Sequence, residues 1–376
     1  MQIPFNKPYA TGRELSYIAQ AISSGRLSGD GEFSRRCQQW LEGTLNSVKA
    51  LLTHSCTAAL EMAAILCELE AGDEVIMPAF THPSTANAVV LRGATPVFVD
   101  VRSETFNLND TLIEPAITSR TKVIIVVHYA GVGCEMDPIM DIARRHNLMV
   151  VEDAAQGILT RYKGRYLGTL GDIGALSFHE TKNAIAGEGG AILINNPHRT
   201  QRAEIIREKG TNRSQFFRGE IDRYAWIDIG SSYLPGEIVA AFLLAQLEEI
   251  HELTSRRKNI WSRYHLGLEG LELAGFLRRP VIPPSCDHNG HLYYLVMPSP
   301  NARSRLIAEL RKREIFAPFH YVPLHTSPAG LRFGRTFDRL PITEMAGECL
   351  LRLPMWLSIE AHLDRIIEEV SSTIRH

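Results

Sequence analysis

The sequence predicts an α/β protein, with a large domain built on a largely parallel, doubly covered sheet and a smaller α+β domain after it. Three observations carry this expectation. From about 49 to 194, short runs rich in β-branched residues alternate with segments of helical period, the pattern of strand and helix units that feed a parallel sheet. The run VIIVV at 123–127 is apolar at every position, as a strand covered by helices on both faces is. Beyond about 250 the order changes to helix, strand, helix and helix.

Taken in order, strands are expected at 48–52, 74–77, 96–101, 122–128, 148–151, 175–178 and 191–194. The segment GEIVAAFLLAQLEEI at 236–250 is apolar around most of its circumference, so it reads as a helix buried by other protein on several sides, with a subunit interface as its cover. After Arg256, Arg257 and Lys258 come a helix, the strand-like HLYYLVM at 291–297, a helix over 302–312 and an amphipathic helix after Ser358. The large domain is set at 1–250 and the small one at 251–376. Pro and Gly form no linker between them, so tight packing is expected.

Length and composition narrow the function. A chain of 376 residues has a prior of two or three domains and buries a sizeable core. Its formal net charge of −2 offers no bulk attraction to phosphate backbones or anionic lipid, so neither nucleic acid nor membrane is an expected partner. Cys37, Cys56, Cys67, Cys134, Cys286 and Cys349 are scattered without a CxxC pair, which suggests reduced thiols in a cytoplasm, with no metal site and no disulfide framework. The opening MQIPFNKPYATGREL lacks a basic segment followed by an apolar stretch, so export is not expected.

Three segments can carry chemistry. THSCTAAL at 53–60 ends a strand in small hydroxyl residues and starts a helix. N–H groups at such a start bind phosphate, although N-capping by Ser55 or Thr57 accounts for the same residues without a ligand. VVEDAAQG at 150–157 delivers Asp153 to a strand's carboxyl end, where open α/β sheets place ligands. A carboxylate there can pair with a cationic ring nitrogen, with Gln156 reaching a neighbouring ring oxygen. Capping of a following helix by Asp153 is the alternative, and Glu152 reads as structural. In ALSFHETKNAIAGEGGAILI at 175–194, Lys182 stands on a short polar turn before Gly187, Gly189 and Gly190 reverse the chain. A lysine shielded from water can lose its proton and condense with a carbonyl; a solvated turn lysine is the alternative.

The order of these pieces, with MPAFTHPST at 77–85 and SFHETK followed by GEGG, resembles the fold-type I enzymes that use pyridoxal 5′-phosphate. Among them it resembles the sugar aminotransferases of the DegT/DnrJ/EryC1/StrS family, over nearly the whole chain. The resemblance implies a mostly parallel seven-stranded sheet. It makes Lys182 the residue that carries the cofactor and moves the proton, while Asp153 keeps the ring nitrogen protonated so that the ring accepts electrons. Gln156 would face the phenolic oxygen, and Ser177 with Ser55, Cys56 and Thr57 would hold the phosphate.

His82, in FTHPST, stands where the family usually stacks an aromatic ring on the cofactor. Ser232, in GSSYLP at 230–235, stands where the family tends to have an Asn that reaches the phosphate of the partner subunit. FHYVPLH at 319–325 is similar to a segment lining the sugar side of the cleft, so His320 and His325 are expected to touch substrate. Arg207, Lys209, Arg213, Arg218 and Arg223, interleaved with Phe216, Phe217 and Tyr224, suit a diphosphate and a base; Arg213 is the one assigned to substrate.

Relatives that remove a sugar hydroxyl carry His at the lysine position, so Lys182 implies amino transfer from glutamate to a nucleotide-linked 4-keto sugar. A homodimer or larger assembly with shared sites is implied as well. Three rivals are weighed. The nearest is a transaminase of the same class that delivers the amine to the opposite face of C4, giving the gluco product, viosamine. A nucleotide-binding oxidoreductase shares the strand and helix alternation, but no GxGxxG follows the first strand. A catalytically silent cofactor binder is disfavoured by the joint presence of Asp153, Gln156 and Lys182.

Overall fold

The computed structural model describes residues 2–375. Strands β1 (Lys49–Thr53), β2 (Glu74–Pro78), β3 (Thr95–Val99), β4 (Thr121–Val127), β5 (Met149–Asp153), β6 (Ile173–Ser177) and β7 (Gly190–Ile194) coincide with the expected runs to within two residues. In β4 the side chains alternate between two cores. Val123 and Ile125 enter one, Ile124 and Val126 the other, so an unbroken apolar run is what a doubly covered strand requires.

Three further strands come from the C-terminal part: β8 (Tyr293–Val296), β9 (Arg335–Thr336) and β10 (Leu350–Leu353). β8 and β10 form an antiparallel pair. β9 joins the main sheet, which therefore has eight strands rather than seven, in the order β1-β7-β6-β5-β4-β2-β3-β9 with only β7 antiparallel to its neighbours. A two-residue strand carries no hydrophobic period to read. What pins it is charge: the buried Glu74 carboxylate accepts from Arg335 Nε (3.0 Å) and Nη2 (2.7 Å), from Arg120 Nη2 (2.5 Å) and from Thr118 Oγ1 (2.7 Å). These donors, Arg335 foremost, hold the Glu74 carboxyl down at about 2.

The helices that matter for the site are α1 (Glu14–Ser23), α2 (Glu32–Leu45), α3 (Cys56–Leu66), α4 (Pro83–Val90), α5 (Met136–His146) and α6 (Glu237–Gly267). α3, with the sequence CTAALEMAAIL, consists largely of strong helix formers and buries nearly its whole length on the sheet. Most of the cover expected of a subunit interface at 236–250 comes from the chain itself, while Ile238 stays exposed. Ala240, Ala241, Leu243, Leu244, Leu247 and Ile250 of α6 share a core with Phe33, Cys37 and Leu41 of α2 and Ala21 of α1, so helices of the same chain cover this face. α6 also caps α2, because the Glu237 carboxylate accepts from the N–H groups of Gly31 (3.0 Å), Phe33 (2.8 Å) and Ser34 (3.2 Å).

Farther along α6, Leu253, Ile260, Trp261 and Tyr264 enter a third core, with Tyr293, Leu295, Leu351 and Leu353, which Ile3 joins from the N-terminal end. The expected boundary at 250/251 thus falls inside one continuous helix that serves the first and third of these cores. No helix among the described residues is long and apolar enough to cross a membrane.

Candidate active site

Parallel strands end on one side of a sheet, and here several such ends meet. Val127, Asp153 and Ser177 close β4, β5 and β6, and β1 runs two residues on into the start of α3. Around them lies a cavity of about 440 Å³ that Ser55, Cys56, Thr57, His82, Asp153, Gln156, Ser177, Lys182 and His320 all line. Arg213, Ser232 and His325 do not line it.

At the α3 end, Ser55 Oγ accepts the Ala58 N–H (3.1 Å), so the capping expected of Ser55 is realised. The N–H groups of Cys56 and Thr57 precede any intrahelical acceptor, which leaves them open toward the cavity. Gly190, the first residue of β7, seats this turn. A Cβ there would come within 2.4 Å of the Ser55 carbonyl carbon, so only glycine permits the approach.

Asp153 is buried and doubly fixed. One oxygen accepts from Thr85 Oγ1 (2.8 Å), itself hydrogen-bonded to Thr81 Oγ1 (2.9 Å), and the other from the Ala155 N–H (3.2 Å). A turn rather than a helix follows it, so helix capping is not its role. Glu152 points to the opposite face of β5, fully buried, where it accepts from His128 Nε2 (2.9 Å) and the N–H groups of Gly168 (2.8 Å), Leu170 (2.7 Å) and Gly171 (2.6 Å). That set ties β5 to the following loop.

Gln156 Oε1 accepts the Ala130 N–H (2.7 Å) and its Nε2 donates to Tyr321 Oη (3.0 Å), which leaves one amide N–H for a ligand. Lys182 sits on a turn closed by Ala186 N–H to the Phe178 carbonyl (2.7 Å) and Lys182 N–H to the His179 carbonyl (2.9 Å). Its Nζ makes no hydrogen bond or ion pair among the described residues. Burial pushes the ammonium below the usual lysine range, with Cys56 and Asp153 pulling weakly the other way. The lysine is held in the wall of the cavity, and the solvated reading fails.

His82 caps α4, its Nδ1 accepting the Ser84 N–H (3.3 Å), and stands edge-on to Tyr321 with ring centroids 6.4 Å apart. Burial, followed by the nearby Lys182, lowers its pKa. His320 is buried, lies 3.1 Å from Tyr129 Oη through Nδ1, and is pushed well below the usual histidine range by burial.

The residues outside the cavity have other partners. Arg213 Nη1 lies 3.7 Å from Glu208, with its guanidinium over Phe217. Ser232 is exposed in a bridge with Glu208, and His325 Nε2 lies 3.3 Å from Glu344. Arg207, grouped with the substrate loop, is instead buried against Gln38 (2.7 Å) and Asp30 (2.9 Å), and Arg218 pairs with Glu204 and Glu220. Thr85, His291, Tyr321 and Arg352 belong to the site or its lining without having been singled out. A readable trace existed for Arg352, a charge interrupting the apolar run LLRLP.

The donor set fits pyridoxal 5′-phosphate: an unpartnered, half-buried amine for its aldehyde, a buried carboxylate for its ring nitrogen, and the open N-terminus of an eleven-residue helix for its phosphate. A model of the DegT/DnrJ/EryC1/StrS aminotransferase family matches residues 8–371. The chain belongs to that family. GDP-perosamine synthase from Caulobacter vibrioides is 32% identical, with 98% of this chain and 97% of the relative covered. The spore coat polysaccharide biosynthesis protein SpsC from Bacillus subtilis is 30% identical, with 99% and 97% covered. Among solved structures, Spr1654 from Streptococcus pneumoniae in its PLP-form superposes with a TM-score of 0.92 at 27% identity, covering 100% of this chain and 99% of that one. The fold is thus fold type I, the activity amino transfer and the cofactor pyridoxal phosphate.

Proposed function

We propose that this aminotransferase passes the amino group of glutamate to C4 of a nucleotide-linked 4-keto-6-deoxy sugar. In its full form the proposal reads dTDP-4-keto-6-deoxyglucose plus glutamate giving dTDP-4-amino-4,6-dideoxygalactose plus 2-oxoglutarate. One observation carries the amino-transfer part: the free Lys182 amine shares a cavity with the fixed Asp153 carboxylate and the open start of α3. The two GDP-perosamine synthases among the relatives support a nucleotide sugar as acceptor. The runs GDGEFSRRCQQWLE, VHYAGVGCEMD and REKGTNRSQFFRG support the dTDP and galacto assignment, because they resemble the transaminase of enterobacterial common antigen synthesis.

Bound here, pyridoxal phosphate supplies an electron sink for the carbanion formed at the amino-bearing carbon. The chain's own residues do the rest. Lys182, with its ammonium destabilised by burial, takes the proton from one carbon and returns it to another. Asp153, clamped by Thr85 and the Ala155 N–H, keeps a proton on the ring nitrogen. The N–H groups of Cys56 and Thr57, with Ser55 and Ser177, hold the phosphate, Gln156 offers its spare N–H to the ring oxygen, and His82 shields the ring's face from water. His320, held neutral, meets the sugar.

Arg213, Ser232 and His325 lie away from this cavity, and a second copy of the chain is the means by which they reach a site. A homodimer is supported by the exposed apolar side chains Phe217, Tyr224, Trp226 (80% exposed) and Ile227, on the stretch leading to Ser232. GDP-perosamine synthases at 32% and 31% identity favour a second reading with a guanine nucleotide, and the C4 epimer, viosamine, is the remaining alternative. Incubation with glutamate and the dTDP- or GDP-linked 4-keto-6-deoxy sugar, with the C4 configuration read by NMR and Lys182→Ala run in parallel, tests all three. A galacto product from the dTDP sugar supports the proposal. A gluco product, or turnover of the GDP sugar alone, replaces it by the corresponding alternative.

A further inference from the structure

Two nitrogens in the wall of the cavity have no partner among the described residues, and they are complementary. One is Nζ of Lys182. The other is Nε2 of His291, which is buried, stands two residues before β8 and lines the same cavity. The backbone of His291 is held from both sides: its N–H donates to Asn289 Oδ1 (3.0 Å), and its carbonyl accepts from Nη2 of the buried Arg257 (2.6 Å). Asn289 is itself tied through Nδ2 to the carbonyls of Gln156 (2.8 Å) and Ile158 (2.9 Å). The ring is held as well, because its Nδ1 lies 3.1 Å from Oδ1 of Asn183, the chain neighbour of Lys182.

These anchors decide which ring nitrogen carries the proton. Asn183 Nδ2 donates to the Asn289 carbonyl (2.8 Å), an atom that can only accept, so the amide is oriented and its oxygen is what faces His291. An amide oxygen also only accepts. Nδ1 of His291 is therefore the protonated nitrogen, and Nε2 presents a lone pair to the cavity. Burial, and after it Lys182, Arg257 and Arg352, pushes the imidazolium well below the usual histidine range, in keeping with a ring that holds a single proton. His320 has no such fix, since the Tyr129 hydroxyl at its Nδ1 both donates and accepts. A lysine nitrogen donates in either protonation state, and as an ammonium it can do nothing else.

We propose that His291 Nε2 is the acceptor that holds the Lys182 amine whenever it is detached from the cofactor, which makes His291 a positioning residue for amino transfer. A lysine side chain is a flexible four-carbon stem, and an acceptor on a rigid wall selects among its rotamers. The same bond favours the ammonium, so a proton taken from one carbon is held on Nζ for its return to another. This rests on Lys182 as the residue that carries the cofactor.

Two substitutions separate this role from a structural one. His291→Asn keeps an amide N–H near the place of Nδ1, for Asn183, and leaves nothing at the place of Nε2. His291→Gln brings an amide oxygen to the place of Nε2 and gives up the donor to Asn183. In single turnovers of the holoenzyme with glutamate, followed by cofactor absorbance, His291→Asn lowers the saturating rate about tenfold, the worth of one hydrogen bond to a charged group. The half-saturating glutamate concentration stays within about twofold, and His291→Gln recovers to within about threefold of the wild-type rate. His291→Asn at the wild-type rate, or His291→Gln slower than His291→Asn, overturns the proposal, because the role then lies in the Asn183 bond or nowhere. NMR of 15N-histidine-labelled protein carrying the aminated cofactor reads the bond without turnover. Lys182→Met moves the His291 Nε2 resonance downfield and leaves that of Nδ1 in place; an Nε2 resonance that does not move overturns the proposal. If His291→Asn does not fold, this comparison decides, since it leaves His291 in place. A wild type in which borohydride fixes no cofactor to Lys182 fails the assignment of that lysine, a result distinct from an unmoved Nε2 resonance.

Discussion

Replacing Glu152 with Gln removes one charge at constant shape, one residue away from the carboxylate assigned to the cofactor. If the amide oxygen keeps the Leu170 and Gly171 bonds, its NH2 confronts the Gly168 N–H and His128 Nε2, both of which donate to the carboxylate. His128 cannot turn its ring chemistry around, because its Nδ1 already accepts the Cys134 N–H (3.1 Å). Two fully buried donors then lose their acceptor, at 1–3 kcal/mol each, so Glu152→Gln costs about 4 kcal/mol. Urea unfolding followed by circular dichroism, at fixed protein and cofactor concentrations, reads this as a lower midpoint at unchanged slope. Below the transition the bound-cofactor absorbance persists. Asp153→Asn behaves in the opposite way. The Thr85 hydroxyl can turn from donor to acceptor, so stability changes by less than about 1 kcal/mol, while loss of the charge facing the ring nitrogen lowers amino transfer at least 100-fold. If Glu152→Gln unfolds within about 1 kcal/mol of the wild type, or Asp153→Asn transfers amino groups at the wild-type rate, the division of labour along β5 is wrong.

Lys182 must be neutral to capture an aldehyde, and its pKa is lowered. Capture of pyridoxal phosphate by the apoprotein therefore rises with pH to a midpoint below the ordinary lysine value of about 10.4, and a midpoint at or above that value refutes the assignment. By linkage, the unfolded chain binds more protons than the native one between the lowered and the ordinary value, so this group adds stability as pH rises through that window. Glu74 has the reverse sign. Its carboxyl lies at about 2 against an ordinary 4.5, worth about 3 kcal/mol, which is fully present above pH 4.5 and lost as pH falls toward 2. Glu74→Gln is expected to remove about that much at pH 7 in a denaturant titration, and an unchanged midpoint would contradict the pinning of β9. Trp226→Glu places a charge on the exposed apolar stretch and converts the dimer to a single chain by light scattering; a wild type that is already monomeric defeats that proposal.

The seven strands over 48–194 and β8 within 291–297 were legible because each is long enough to show its apolar run, and the site residues at strand ends came with them, whereas β10 went unread. β9 was not legible either, because two residues held by a distant glutamate leave no local pattern. An all-round apolar helix does not say whose surface buries it, so the share of the cover of α6 that α1 and α2 supply was not legible. Lys182, Asp153 and the start of α3 stand next to recognisable strands and turns. Tyr321 and Arg352 reach the site through pairings of long sequence separation, such as Gln156 with Tyr321 across 165 residues. Arg207 shows the converse. It looked like a loop charge, and only the fold reveals Asp30 and Gln38 beside it.

The central claim is that Lys182 moves an amino group from an amino acid to a sugar nucleotide. Holoenzyme incubated with 15N-glutamate and dTDP-4-keto-6-deoxyglucose tests it directly, with the label followed by NMR and Lys182→Ala treated identically. The account predicts 15N bonded to sugar C4 in the wild-type sample and none in the variant. Label that stays on glutamate with the wild type, or reaches the sugar equally well with Lys182→Ala, would contradict it.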